Sequence, residues 1–344
     1  MIKKELLWIN LLRAICILCV YYVHSQSYYG FGIKGITAYI HPFYVNSFFL
    51  VSGYLLFRKH LSTPLVNLNG STFLKVGAYK EFLNILYRLI IPTVLFAAIE
   101  FIPSYMLRGK EIGFEEFLYK TVGGCTYWFT SALVVAELLV LLLLLTRRKS
   151  IWFYFIFTSF VFCIGKYICR EGFEISYHYP SCPWQYKQGL LSIIFLGLGG
   201  MYWKYEELLC KVLKKHMVIL LAFTYVVVET ICPKSFRVLV SLQDVNMLGL
   251  LISIVASIVL IEICKLPKSS KILNYVGRNT IGFYFLSGAL PIVLSMLVHR
   301  VMPTRNIVGL LIVFVGSFSL SFLAVYFMNR YAAWLFDGRK LLKK

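Results

Sequence analysis

Arg13 and His24 lie inside the first apolar segment of the chain, in the run Arg13-Ala14-Ile15-Cys16-Ile17-Leu18-Cys19-Val20-Tyr21-Tyr22-Val23-His24. At membrane depth an ionisable side chain costs several kcal/mol unless it faces a wet or protein-lined interior. Eleven residues at about 100° each come to roughly three helical turns, so a helix through this run carries both side chains on one face, about 16 Å apart along its axis. Such a helix holds a fixed cation near one membrane surface and a titratable base near the other.

Five more ionisable residues fall at membrane depth: Arg88, Glu100, Glu137, Glu229 and Glu262. Arg13 is about one turn into the first apolar segment, and Arg88 stands at a comparable level in the third, which begins on the same side. Two cations at one level form a site for an anion, and the planar guanidinium fork suits phosphate. The competing reading is a structural ion pair in which Glu137 or Glu262 neutralises one of the arginines. His24, beside the polar Ser25-Gln26-Ser27, fits a general base; alone it would equally fit a histidine hydrogen-bonded at the interface. His41, His178 and His299 belong to the same side as His24 but to loops or a helix end, and His60 and His216 to the other side. In the second segment, Asn46-Ser47-Phe48-Phe49-Leu50-Val51-Ser52-Gly53, the small pair Ser52-Gly53 allows a neighbouring helix or a ligand close to the backbone. Tyr127-Trp128-Phe129 reads as an interfacial aromatic belt.

The elements that position these groups are membrane helices. The 344 residues are 59% hydrophobic and 15% charged, with a mean hydropathy of +0.75, which excludes a water-soluble domain and gives an all-α integral membrane protein. Ten spans are expected, at Trp8–Tyr28, Phe43–Phe57, Phe82–Met106, Tyr127–Leu145, Ile151–Cys169, Gln188–Trp203, Met217–Ile231, Asn246–Cys264, Thr280–Val301 and Ile307–Phe327, in one bundle and one domain over 1–344. The net charge of +20 is spread over alternate loops rather than one patch, so it speaks for topology and not for nucleic acid. Lys3/Lys4, Arg58/Lys59/Lys75/Lys80, Arg147/Arg148/Lys149, Lys204/Lys211/Lys214/Lys215, Lys265/Lys268/Lys271/Arg278 and Arg339/Lys340/Lys343/Lys344 all fall inside if both termini are cytoplasmic. The first segment starts like a signal peptide, but Arg13 interrupts its apolar core and no small-x-small cleavage site follows, so it is expected to be retained. The Cys16-Ile17-Leu18-Cys19 spacing sits in an apolar helix and reads as packing, whereas Cys125, Cys169, Cys182 and Cys232 belong to the outer side, where an oxidising compartment would permit one disulfide. Walker, HExxH and GxGxxG patterns and clear internal repeats are missing, and no soluble domain is expected at either end. No metal site and no permanently bound cofactor are expected.

Several of these pieces, in this order, resemble the membrane-bound acyltransferase-3 family, which O-acylates bacterial surface polysaccharides. Arg13-x10-His24 is similar to the family's signature in its first span. Phe48-Phe49-Leu50-Val51-Ser52-Gly53, Arg88-Leu89-Ile90-Ile91-Pro92, Trp128-Phe129 and Gly277-Arg278-Asn279-Thr280-Ile281-Gly282-Phe283-Tyr284 match its further motifs. Many members carry a histidine a few residues after the last motif, where this chain has Leu286-Ser287-Gly288. Some carry an extracytoplasmic hydrolase-like domain, which is not expected here.

The resemblance implies a bacterial inner-membrane enzyme with acyl-CoA, most simply acetyl-CoA, as donor on the cytoplasmic side and a glycan or lipid-linked sugar as acceptor on the other. Arg13 and Arg88 would hold the CoA phosphates and His24 would deprotonate the acceptor hydroxyl. Ser52, Asn46 or Tyr127 would supply oxyanion donors, with Trp128 and Glu137 in the same substrate set. The alternative from another class is a lipid-linked glycan flippase or polymerase, or a small-solute transporter.

Overall fold

The computed structural model describes residues 7–33, 35–61, 79–107, 113–146, 148–170, 182–231, 247–266, 270–302 and 304–340. Lys3, Lys4, Lys75, Arg147, His178, Cys232, Asn246, Lys268, Lys343 and Lys344, which enter the sequence reading, lie outside them. Among the described residues every regular element is helical. Six stretches of the described residues are long and apolar enough to cross a membrane: Leu7–Tyr29, Tyr79–Pro103, Ile151–Cys169, Met247–Lys265, Thr280–Val301 and Ile307–Tyr331. The other four expected spans fall on less decisive helices. Asn46–Leu61, Trp128–Leu144 and Lys215–Ile231 have 16, 17 and 17 residues. Tyr186–Val212 has 27, but its apolar run is diluted by glycines, Gln188 and the Tyr202–Glu207 end.

The polarity of the folded chain is inverted relative to a protein in water. Ile156, Phe160, Ile164 and Tyr167 are exposed on one helix and Leu311, Ile312, Val315 and Leu323 on another, while Glu137, Glu229, Ser253, Ser257, Ser287, Ser317 and Ser321 are buried. A helix satisfies its own backbone and can therefore present an apolar surface to lipid, with polar side chains turned inward. The protein is a multi-pass membrane protein.

The chain forms two compact units. The first contains α1 (Leu7–Tyr29), α2 (Ile36–Ile40), the first turn of α3 (Asn46–Leu61), α10 (Lys215–Ile231), α11 (Met247–Lys265), α12 (Lys271–Arg278), α13 (Thr280–Val301) and α14 (Ile307–Tyr331). Here α1 is the hub. The Tyr21 hydroxyl lies 2.8 Å from the Phe283 carbonyl and 2.6 Å from Ser321 Oγ, tying α1 to α13 and α14. Ser295 donates to the Tyr28 carbonyl at 3.0 Å. Gly277, in the last family-like motif, lets α12 press onto α1, because a Cβ there would run into the Asn10 carbonyl. Helix starts are fixed locally: Ser270 accepts from the Leu273 N–H at 3.1 Å and Asn306 from the Gly309 N–H at 2.9 Å, each satisfying an otherwise orphan donor.

The second unit contains the rest of α3, then α4 (Tyr79–Ile85), a π-helical turn (Leu86–Ile90), α5 (Ile91–Leu107), α6 (Phe114–Thr121), α7 (Trp128–Leu144), α8 (Ile151–Arg170), α9 (Tyr186–Val212) and the C-terminal turns Ala333–Leu335 and Gly338–Lys340. Gly53 of α3 meets the backbone of Leu196 on α9 so closely that a Cβ at Gly53 would overlap it. The expected close approach at Ser52-Gly53 is thus made by a neighbouring helix. Phe57 packs on Tyr154, with centroids 5.4 Å apart, and Phe49 edge-on against Phe129 at 5.1 Å.

Candidate active site

Helix α1 runs unbroken from Leu7 to Tyr29, so the one-face relation of Arg13 and His24 holds along it, with both side chains half-buried. His24 Nδ1 lies 2.7 Å from the backbone carbonyl of Ser287 on α13. A carbonyl only accepts, so in the neutral imidazole Nδ1 carries the proton and Nε2 keeps its lone pair. The ring is thereby set in the tautomer a general base needs. The orienting group is a main-chain carbonyl at the place where a second histidine is common in the family-like motif. No side-chain signal in the sequence points to Ser287 in this role. Beside it on α13, a Cβ at Gly288 would meet nothing within 4 Å.

In the second unit, Arg88 sits at the centre of the π-helical turn Leu86–Ile90. The cause is local. Pro92 has no N–H to offer, and in a regular α-helix its ring would collide with the carbonyl four residues earlier, which is that of Arg88. The helix widens instead, with the Ile91 N–H bonding the Leu86 carbonyl five residues back. The Arg88-x-x-x-Pro92 spacing was therefore legible as a kink, a feature the sequence reading did not draw from it.

Ser52, Leu55, Leu56, Lys59, Glu81, Asn84, Arg88, Glu137 and Arg339 line one cavity of about 150 Å³. Arg88 Nη2 lies 2.5 Å from Glu137 Oε2, and Glu137 is only 2% exposed. The ion pair weighed as the alternative for Arg88 is thus formed, and Glu137 is Arg88's partner, whatever else it touches. Arg88 Nε is buried with no hydrogen-bond partner among the described residues. Glu81 is bonded by Lys59 and has His60 Nε2 at 3.4 Å. Arg339 forms a two-armed pair with Asp337, Nε to Oδ1 at 2.7 Å and Nη2 to Oδ2 at 2.6 Å. Burial alone would raise the Asp337 carboxyl, but the hydrogen bonds and charge of Arg339 outweigh it and hold the group below its ordinary value. Three cations face two carboxylates around a polar void, an arrangement able to take an anionic group.

The structure thus brings Arg88, Glu137 and Ser52 of the expected set together. Asn46 and Tyr127 are engaged elsewhere: the Asn46 amide donates to the Pro42 carbonyl at 2.8 Å, and the Tyr127 hydroxyl donates to Glu100. As an oxyanion donor Tyr127 would first have to give up this bond, whereas the Asn46 amide carries a second N–H. Trp128 opens α7 and packs edge-on to Phe129 at 6.2 Å. Glu262 lies 3.4 Å from Lys265, whose ammonium stands 5.5 Å over the Trp8 ring. Cys16 and Cys264 are buried, and Cys125, Cys169 and Cys182 are half-buried. Lys59, Glu81, Asn84 and Arg339 are cavity residues that sequence reasoning missed. All four lie at helix ends or in the C-terminal tail, where polar residues are unremarkable in a sequence.

No curated protein and no solved structure matches the chain. The acyltransferase-3 profile, described as an acyltransferase domain, matches residues 6–326 and so runs through both compact units. By that match over nearly its whole length, the chain belongs to the acyltransferase-3 family of membrane acyltransferases.

Proposed function

We propose that this protein transfers an acyl group, acetyl in the simplest case, from acyl-CoA to a hydroxyl of an extracytoplasmic or lipid-linked glycan in a bacterial inner membrane. The observation that carries the chemistry is the 2.7 Å contact of His24 Nδ1 with the Ser287 carbonyl, which leaves Nε2 as a base. In this reading Nε2 takes the proton of the acceptor hydroxyl as its oxygen attacks the thioester carbonyl. The tetrahedral intermediate then collapses, the C–S bond breaks, and the CoA sulfur leaves with the proton from His24. The products are an O-acyl ester and free CoA, and the histidine is restored.

The ten-span arrangement with both termini inside supplies the sidedness. Arg13 and Arg88 would stand near the cytoplasmic surface and receive the phosphates of the donor, and His24 near the outer surface would meet the acceptor. Support for an anion-binding role comes from Arg88 itself, whose Nε has no hydrogen-bond partner among the described residues and whose cavity is lined by further cations. Ser52, on the same cavity wall, is the hydroxyl best placed to help hold the donor. Acetyl-CoA supplied to the cytoplasmic face of sealed inside-out vesicles should support acetylation of an acceptor inside, while sealed right-side-out vesicles given external acetyl-CoA should stay inactive until permeabilised. Equal activity in both sealed orientations would overturn the sidedness, and no transfer in either after permeabilisation would overturn the function.

A further inference from the structure

The family match ends at residue 326, yet the chain beyond it contributes to the cavity around Arg88. The segment from Ala333 to Lys340 is seated on the helix that carries the π turn. Phe336 stacks on Phe96 with centroids 5.5 Å apart and planes 6° from parallel. Gly338 lies against Tyr87, one residue before Arg88. Arg339 Nη1 reaches Asn84 Oδ1 at 3.4 Å. The turn is thus anchored before, at and after the π segment, and its arginine forms part of the cavity wall.

We propose that Arg339 is a donor-affinity residue, a second phosphate-binding cation beside Arg88 that Asp337 holds until the donor arrives; this rests on the acyl-CoA reading above. The geometry of the pair is the argument. Asp337 occupies Nε and Nη2 of Arg339 side-on, 2.7 and 2.6 Å away, which is the same fork a phosphoryl group would fill. Asp337 is two residues from Arg339 on a short turn and does not line the cavity, whereas Arg339 does. A phosphate in the cavity offers Arg339 the same two bonds with a greater negative charge. The carboxylate therefore acts as a placeholder, keeping the fork ordered and its charge compensated while the site is empty. The segment lies outside the matched residues, so this second cation stands apart from the motifs that carry the family match.

The test is equilibrium binding of CoA to the purified full-length protein. Arg339→Ala should weaken CoA binding about tenfold or more, as the loss of charge-assisted hydrogen bonds to phosphate requires. Arg339→Lys should recover part of the loss, since it restores charge without the fork. Asp337→Asn should tighten CoA binding by removing the competitor, a gain that no misfolded variant would give. If wild type binds CoA and Arg88→Ala in the Glu137→Gln background does not, but Arg339→Ala binds as wild type does, the inference falls and the acyl-CoA reading stands. If Asp337→Asn weakens binding as much as Arg339→Ala, the pair is a structural clamp and the inference again falls. Failure of wild type itself to bind CoA would overturn the acyl-CoA reading, and the inference with it.

Discussion

Pro92 follows Arg88 by four residues, and that spacing opens the helix at the arginine. The carbonyl that Pro92 cannot serve and would otherwise strike is that of Arg88, and the turn from Leu86 to Ile90 widens to a π-helix around it. Pro92→Ala restores a donor at position 92 and removes the steric reason for the widened turn. The expected outcome is a weaker affinity for CoA together with a lower melting temperature, because a regularised helix turns Arg88 away from the cavity and from its partner Glu137. Thermal unfolding together with CoA titration checks it, and wild-type affinity in a stable variant would show that the bulge has no part in the site.

Arg88 and Glu137 distinguish a binding site from a structural pair. Removing Arg88 alone leaves the carboxylate of Glu137, 2% exposed, without the guanidinium at 2.5 Å. Breaking a buried pair in this way costs about 3–5 kcal/mol, so Arg88→Ala should accumulate poorly. Adding Glu137→Gln removes the stranded charge and should restore expression without restoring transfer. Glu137→Gln alone should fold and bind CoA at least as tightly as wild type, because the cation is then uncompensated. Full transfer by the double variant would leave Arg88 a structural residue.

Much of this arrangement was legible in the sequence, and the reasons it stopped short are physical. The single helix joining Arg13 to His24 follows from an apolar run with no breaker, and the close approach at Gly53 from two small residues in sequence. What periodicity cannot give is the partner across a long chain separation. His24 is oriented by a backbone carbonyl 263 residues away, and every residue type has a carbonyl. Arg339 meets Asn84 across 255 residues from a tail that reads as an ordinary basic terminus. The span count is weakest where helices are short or glycine-rich, as in Asn46–Leu61 and Tyr186–Val212, because hydropathy then falls with composition while the packing that stabilises these helices is invisible to it.

Gly53→Ala should destabilise the protein by about 1–3 kcal/mol, since the added methyl overlaps the Leu196 backbone and a rigid helix cannot yield as a side-chain tip can. Ser52→Ala, one residue away on the cavity wall, should leave stability nearly unchanged. Comparing detergent-solubilised yield and melting temperature of the two checks the assignment of one residue to packing and the other to the site. Equal stability for both would mean that α3 and α9 separate easily there.

The Asp337–Arg339 pair should make the C-terminal turn sensitive to acid. Asp337 is held below its ordinary value in the folded chain, so its contribution is complete above the unfolded value and is lost as pH falls through the lower, folded one. Limited proteolysis of the tail should therefore speed up in acid for wild type but change little with pH for Asp337→Asn, which lacks the titrating group. An acid-dependent rise of equal size in both would place the effect elsewhere.

His24→Gln should cut transfer by about a hundredfold to ten-thousandfold while leaving CoA binding intact, because glutamine can keep a hydrogen bond to the Ser287 carbonyl but offers no basic nitrogen. His24→Ala loses both the base and the contact that joins α1 to α13, so it should be at least as inactive and somewhat less stable. The two variants separate positioning from proton transfer: if the histidine served only to tie the helices together, glutamine would restore activity that alanine loses. The measurement is single-turnover acetyl transfer at saturating acetyl-CoA, with CoA affinity determined on the same preparations. Wild-type transfer by His24→Gln would remove His24 as the base, whereas loss of CoA affinity in that variant would move the histidine from the acceptor end of the reaction to the donor end.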